Sequence, residues 1–128
     1  MSDMVCLELA IALWFAHLLT QMGTAGGAFS VPYLFSSRDT QDKPKGVIWG
    51  RATRAFGNYV ENLVAFATLD LGLLVTHHTA WLAPTIWIIA RAIYLPLYVF
   101  NVIYVRTLAA GTAMLSLGVM LFGLAATR

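Results

Sequence analysis

Four long apolar stretches, separated by short polar segments, make up almost the whole sequence. They cover residues 4–24, 47–76, 81–105 and 107–126. Each is close to or longer than the ~20 residues that an α-helix needs to cross ~30 Å of hydrocarbon. No stretch alternates apolar and polar positions as a strand of a membrane barrel would. The pattern predicts an all-α integral membrane protein with four spans in a single domain, residues 1–128.

The composition favours the same class of protein. Of 128 residues, 59% are hydrophobic and 11% are charged, and the mean hydropathy is +0.74. A soluble domain of this length has too little interior to hide so much apolar side chain. The net charge of +2 is too small to indicate nucleic acid as a partner. The single cysteine, Cys6, excludes a disulfide framework and a CxxC redox motif.

The second apolar stretch begins with a set of polar residues at helical spacing. Arg51, Arg54, Asn58 and Glu61 stand at i, i+3, i+7 and i+10. On an α-helix they fall on one stripe about 80° wide, which we call the polar stripe. Ionisable groups in hydrocarbon must be paired or wetted, so a lipid-facing stripe of this kind would be costly. The polar stripe is therefore expected to face protein or a polar cavity, and it is a candidate functional site.

The third apolar stretch repeats this spacing with aromatic hydroxyls. Arg91, Tyr94, Tyr98 and Asn101 again stand at i, i+3, i+7 and i+10, and Pro96 between the tyrosines is expected to kink the helix. The tyrosines alone are typical of ordinary core and interface aromatics. With Arg91 on the same face, they indicate a second polar surface.

The distribution of basic residues predicts the orientation in the membrane. With four spans, the loops after the first and third stretches lie at the same face. The positive-inside rule places that face in the cytoplasm and both termini outside, where Arg128 is the only basic residue. The start of the second stretch and the end of the third then converge near the cytoplasmic headgroups. The basic residues on that side are Arg38, Lys43, Lys45, Arg51, Arg54 and Arg106.

The histidines give little support to a metal or haem site. His17 lies among apolar residues and is most simply an interhelical hydrogen-bonding residue. Its possible haem partners, His77 and His78, lie at the far end of the second stretch. Adjacent residues on a helix point about 100° apart, so these two do not form a metal pair. No metal or haem is expected.

The polar residues suit a zwitterionic ligand. Guanidinium groups bind carboxylates in a bidentate manner, and a carboxylate such as Glu61 binds an ammonium group. A guanidinium such as Arg106 beside a thiol favours the thiolate, and tyrosine hydroxyls could donate to the same sulfur. No nucleophile–histidine–acid arrangement and no phosphate loop is present, so hydrolase and NTPase chemistry have no support.

Two runs of sequence, RATRAFGNYVEN and RAIYLPLYVFNVIYVRT, carry a resemblance to a known family. The matching residues of the first run are Arg51, Arg54, Asn58 and Glu61. Those of the second run are Arg91, Tyr94, Tyr98 and the Arg106–Thr107 pair. With the SSRD of residues 36–39, they resemble the short bacterial members of the MAPEG family, the membrane-associated proteins of eicosanoid and glutathione metabolism.

The resemblance implies a left-handed four-helix bundle assembled as a homotrimer, with glutathione as co-substrate between subunits. It implies a bacterial inner-membrane transferase or peroxidase whose thiolate attacks a lipophilic electrophile or reduces a lipid hydroperoxide. Arg106 and Tyr98 would act on the thiol. Glutathione would be bound by Arg38, Arg51, Arg54, Asn58, Glu61, Tyr94 and Tyr98.

Two other functions remain open at this point. Phe56 and Gly57 stand where many members of the family have a histidine or a basic residue. A non-catalytic protein of the same fold, which binds lipid or another membrane protein, is therefore an alternative. A small four-span transporter that uses Glu61 as a proton-coupled carboxylate is less favoured, because Glu61 lies beside two arginines near one membrane face.

Overall fold

The computed structural model describes residues 1–40 and 42–126, and every regular element within them is helical. This confirms the all-α prediction. Arg128, the basic residue expected at the outer face, lies outside the described residues. The elements are α1 (Asp3–Ala28), α2 (Val31–Leu34), α3 (Ile48–Val75), α4 (Ala83–Val99) and α5 (Ile103–Ala125).

Three of the long helices have the length and composition of membrane spans. Helices α1, α3 and α5 contain 26, 28 and 23 residues and are apolar enough to cross a bilayer. Helix α4 is also apolar, but it has 17 residues and is about 26 Å long. It is therefore slightly shorter than the ~30 Å hydrocarbon core of a bilayer.

The first helix continues past the predicted end of its apolar stretch at residue 24. It runs through Gly26 and Gly27 to Ala28, where the backbone becomes extended at Phe29. Pro32 then lies in the first turn of the short helix α2, where its missing N–H costs no hydrogen bond. The backbone N–H of Lys45 donates to the carbonyl oxygen of Ala28 at 2.8 Å, which ties the end of the polar loop to the end of α1.

The boundary between α4 and α5 differs from the predicted boundary between the third and fourth apolar stretches. Helix α4 ends at Val99, six residues before residue 105, and Asn101 adopts a left-handed backbone with φ of 63°. The N–H of Val102 donates to the carbonyl of Leu97 and that of Asn101 to the carbonyl of Tyr98, the pattern of a Schellman motif. Asn101 therefore ends α4 instead of extending its polar face.

A second left-handed residue ends α3 in the same way. His77 has a φ of 56°, and its N–H donates to the carbonyl of Leu74. The N–H of His78 donates to the carbonyl of Leu73, which completes another Schellman motif. Both histidines are exposed residues of this turn.

The core is formed by facing surfaces of α1, α3, α4 and α5. At its centre the rings of Phe66 and Trp87 stack with centroids 4.0 Å apart. The hydroxyl of the buried Tyr59 donates to the carbonyl oxygen of Ala10 at 2.6 Å, which joins α3 to α1. Large apolar side chains such as Leu19 and Leu115 point outward along the helices. The outer surface is therefore suited to lipid or to another apolar protein surface.

Candidate functional site

The start of α3 and the end of α4 lie at the same end of the bundle. The Nη1 of Arg51 donates to the carbonyl oxygen of Val99 at 3.3 Å. The carbonyls of the last helical turn have no partner within their helix, and they carry the negative end of the helix dipole. Arg51 therefore caps the C-terminus of α4 with a positive charge. The two chain segments that carry the predicted site are joined by this contact.

A second contact between α3 and α4 lies deeper in the bundle. The Nη1 of Arg91 donates to the Oδ1 of Asn58 at 2.8 Å. Arg91 is only 1% exposed, while Asn58 is half-buried. A short hydrogen bond from a charged donor is among the stronger polar contacts in proteins. It fixes the side chain of Asn58 relative to α4.

A row of rings and guanidinium groups continues from Arg91 towards the membrane face. The guanidinium carbon of Arg91 lies 5.3 Å from the centre of the Tyr94 ring, which is 5.5 Å from that of Tyr98. The guanidinium carbon of Arg106, in the first turn of α5, lies 4.4 Å from the centre of the Tyr98 ring. Cation–π contacts of this length hold a charge over a ring without using its hydroxyl group. We call Asn58, Arg91, Tyr94, Tyr98 and Arg106 the polar row.

The polar stripe divides into two inward and two outward residues. Arg51 and Asn58 contact α4, whereas Arg54 and Glu61 are exposed on the surface of the chain. The side chains of Arg54 and Glu61 form no hydrogen bond or ion pair with the described residues. They flank Asn58 at four and three residues, so the three side chains lie on neighbouring positions of one helix face. Exposed charges on a membrane-crossing helix require a partner or water.

Arg38 lies apart from the other predicted site residues. It has a left-handed backbone with φ of 60°, and its Nη2 donates to the carbonyl oxygen of Leu34 at 3.2 Å. It lines a cavity of about 340 Å³ together with Gln21 and Trp49. Within the described residues of one chain, Arg38 forms no hydrogen bond, ion pair or ring contact with the polar stripe or the polar row.

Phe56 and Gly57 have different surroundings. Phe56 is half-buried, and its ring centre lies 6.0 Å from that of Trp14, so it packs α3 against α1. Gly57 is exposed, and a Cβ added there would meet no atom of the chain within 4 Å. The apolar residue at position 56 thus has a packing role, while position 57 has room for a larger side chain in the single chain.

His17 and Asp70 are buried polar residues that were not part of the predicted site. The ring of His17 stacks on Tyr59 at 4.2 Å, and its Nδ1 lies 2.8 Å from the carbonyl oxygen of Leu13. Asp70 lies on the core face of α3, where neither carboxylate oxygen has a hydrogen-bond partner among the described residues. Helical spacing could have indicated this burial. Tyr59 and Phe66 are eleven and four residues before Asp70, so all three side chains lie on the same face of α3.

These features define the class of protein. The apolar helices indicate an integral membrane protein with a polar cluster at one end of its bundle. The model of the MAPEG family matches residues 4–126, nearly the whole chain, and the chain therefore belongs to the MAPEG family. This confirms the family predicted from the two motif runs. No curated protein and no solved structure matches the chain.

Membership of the family gives the polar cluster a chemical context. The family includes glutathione transferases and peroxidases, and it generally uses glutathione. Its members are often trimeric. Among the described residues, no group of three or more histidine, cysteine, aspartate or glutamate side chains is arranged to hold a metal ion.

Proposed function

We propose that this protein is a membrane-bound glutathione transferase or peroxidase that acts on lipophilic electrophiles or lipid hydroperoxides. The observation that carries the proposal is the polar row, in which Asn58 of α3 is joined through Arg91 to Tyr94, Tyr98 and Arg106. The row supplies hydrogen-bond donors and a positive charge beside an apolar, membrane-exposed surface. Family membership supports glutathione as the thiol.

The binding part of the proposed site is the outward face of α3. Arg54 is suited to a carboxylate of glutathione, and Glu61 is suited to its ammonium group. The free amide nitrogen of Asn58 lies between them in sequence and supplies a further donor. Arg51 supports the site by holding the end of α4. Arg38 would reach the same ligand from a different copy of the chain, because its own guanidinium donates to the carbonyl oxygen of Leu34.

The proposed chemistry depends on Arg106 and Tyr98. A guanidinium charge stabilises the thiolate over the thiol, and a tyrosine hydroxyl can donate to the sulfur. In the transferase reaction the sulfur forms a bond to an electrophilic carbon, the leaving group departs with its electron pair, and the thiol proton passes to water. In the peroxidase reaction two glutathione molecules are oxidised to the disulfide while the hydroperoxide is reduced to an alcohol and water.

The same charges support a homotrimer as the functional assembly. Arg54 and Glu61 are exposed on a helix that crosses the membrane, and lipid cannot satisfy them. A neighbouring copy and a zwitterionic ligand between the copies would satisfy both. We propose the site at the cytoplasmic face of a bacterial inner membrane, with both termini outside, because the basic loops gather at that end.

Glutathione binding to the purified protein tests the proposal. Millimolar glutathione should raise the thermal midpoint of the detergent-solubilised protein, and titration calorimetry should give a saturable isotherm. S-methylglutathione, which lacks a free thiol, serves as the control for binding without chemistry. The protein should also conjugate chlorodinitrobenzene with release of chloride.

Two results would point to the other functions. Absence of any glutathione-dependent thermal shift would favour a non-catalytic protein that binds lipid or another membrane protein. The observation that favours a non-catalytic protein is that Phe56, an apolar residue packed against Trp14, stands in place of a basic residue. Proton-driven uptake into vesicles that is lost in Glu61→Gln would favour a transporter.

A further inference from the structure

Arg91 is the least expected charge in the structure. Its side chain is 1% exposed on the apolar helix α4, and none of the described carboxylates pairs with it. Burying a guanidinium group without an anion is costly, and in a membrane-spanning segment such a residue usually serves a site. Its side-chain hydrogen bond goes to the amide of Asn58.

The hydrogen bond between them has only one chemically consistent orientation. Arginine carries N–H donors and no acceptor, so the atom of the Asn58 amide that faces Nη1 of Arg91 must be the oxygen. The amide nitrogen of Asn58 is then directed away from Arg91. It has no hydrogen-bond partner among the described residues, and Asn58 is half-buried beside the exposed Arg54 and Glu61.

We propose that Arg91 is a positioning residue of the glutathione site, a role that rests on the proposed function above. Arg91 holds the Asn58 amide with its nitrogen outward, so that the site always presents a donor at this position. A ligand must therefore supply an acceptor there, such as a carboxylate or a peptide carbonyl. Without Arg91, the amide of Asn58 is free to rotate and presents its oxygen as readily as its nitrogen.

Arg91 also links this donor to the reactive end of the site. Its guanidinium carbon lies 5.3 Å from the Tyr94 ring centre and 5.7 Å from that of Trp87. The charge thus rests against two rings of its own helix while it reaches across to α3. A lysine at this position has a donor and a charge, but it lacks the planar group that lies over both rings.

A double-mutant cycle on the full-length protein in lipid nanodiscs tests the inference. Arg91→Met should raise the KM for glutathione about two-fold, with kcat at saturating glutathione nearly unchanged, because the Asn58 amide then presents its nitrogen to the ligand only about half of the time. Asn58→Ala should raise KM by at least as much. The double variant should be no worse than Asn58→Ala alone, because Arg91 acts through Asn58.

Two further variants separate positioning from structural support. Asn58→Asp retains an acceptor for Arg91, adds an anion beside its charge and turns an oxygen outward, so it should keep or raise the thermal midpoint of the unliganded protein and raise KM above that of Asn58→Ala. Arg91→Lys should recover part of the loss in Arg91→Met. If Arg91→Met does not fold, the comparison of Asn58→Asp with Asn58→Ala decides the question.

Distinct results would overturn the inference. Effects of Arg91→Met and Asn58→Ala that multiply in the double variant would mean that Arg91 acts independently of Asn58. A KM for Asn58→Asp no higher than that of Asn58→Ala would mean that the amide nitrogen does not face the ligand. A wild-type protein that does not bind glutathione would instead overturn the proposed function, and the inference with it.

Discussion

The guanidinium group of Arg106 lies over the ring of Tyr98, with 4.4 Å between its central carbon and the ring centre. The two residues belong to different helices, and the left-handed turn at Asn101 separates them. The contact uses the face of the ring and leaves the Tyr98 hydroxyl available as a donor. A positive charge and a hydroxyl group therefore lie side by side, which is the arrangement that the proposed thiolate stabilisation requires.

Removing the charge of Arg106 should abolish conjugation. We expect Arg106→Ala to lose nearly all turnover of chlorodinitrobenzene, because no guanidinium then stabilises the thiolate. Arg106→Lys keeps a positive charge and should retain a measurable fraction of the activity. The ultraviolet absorbance of bound thiolate provides a direct measurement, and unchanged turnover in Arg106→Ala would remove the residue from the mechanism.

The two parts of Tyr98 should have separable effects. Tyr98→Phe keeps the ring under Arg106 and removes the hydroxyl, so we expect kcat to fall about ten-fold if one hydrogen bond to the sulfur is lost. Tyr98→Leu also removes the cation–π contact and should therefore lower kcat further than Tyr98→Phe does. Steady-state kinetics at saturating glutathione distinguish the two variants, and equal losses would mean that the ring makes no contribution.

Arg51 and Arg54, one helical turn apart, should affect different properties. Arg51 caps the last carbonyl of α4, so Arg51→Met should lower the free energy of unfolding by about 1 kcal/mol. Arg54 has no partner within the described chain, so Arg54→Met should leave unliganded stability nearly unchanged and weaken glutathione binding. Thermal melts and binding isotherms on the matched pair check this, and a reversed pattern would contradict the assignment.

The left-handed turn at Asn101 should be sensitive to side-chain shape. Asn101→Gly should leave the free energy of unfolding unchanged or raise it. Asn101→Val should lower it by about 1–2 kcal/mol, because a branched side chain is strained at φ of 63°. Thermal melts of both variants measure the difference. Equal midpoints would mean that the turn adopts another conformation in the purified protein.

Asp70 should be a destabilising residue. Its carboxylate is fully buried, with neither oxygen paired among the described residues, so Asp70→Leu should raise the free energy of unfolding by about 1–3 kcal/mol. Asp42→Asn, in the exposed loop, is the matched control and should leave the free energy of unfolding unchanged. A fall in the thermal midpoint of Asp70→Leu would mean that a ligand or another copy of the chain pairs with the carboxylate.

Helical periodicity was sufficient to predict which polar residues share a face. The spacing of Arg51, Arg54, Asn58 and Glu61 gave the polar stripe, because 3.6 residues per turn fixes angular position once a helix is assumed. It did not predict which of them face α4. Arg51 and Arg54 are the same residue type one turn apart, and only the packing direction of α4 distinguishes them.

Hydropathy did not predict where α4 ends. Residues 102–105 are as apolar as those before them, so the apolar stretch gave no sign of a break. The signal was Asn101, because asparagine is the residue other than glycine most suited to a left-handed helix end. The burial of Asp70 and Arg91 also escaped prediction, since charged side chains are rarely buried without a partner.

The short connection from α4 to α5 has a consequence for the order in which the site is built. Tyr98 and Arg106 are eight residues apart, so their contact has very low contact order and can form as soon as this hairpin of helices exists. Arg54 and Glu61 have no such local partner. The thiol-facing half of the proposed site is therefore formed by local contacts within one chain, while Arg54 and Glu61 of its ligand-binding half have no partner among the described residues of that chain.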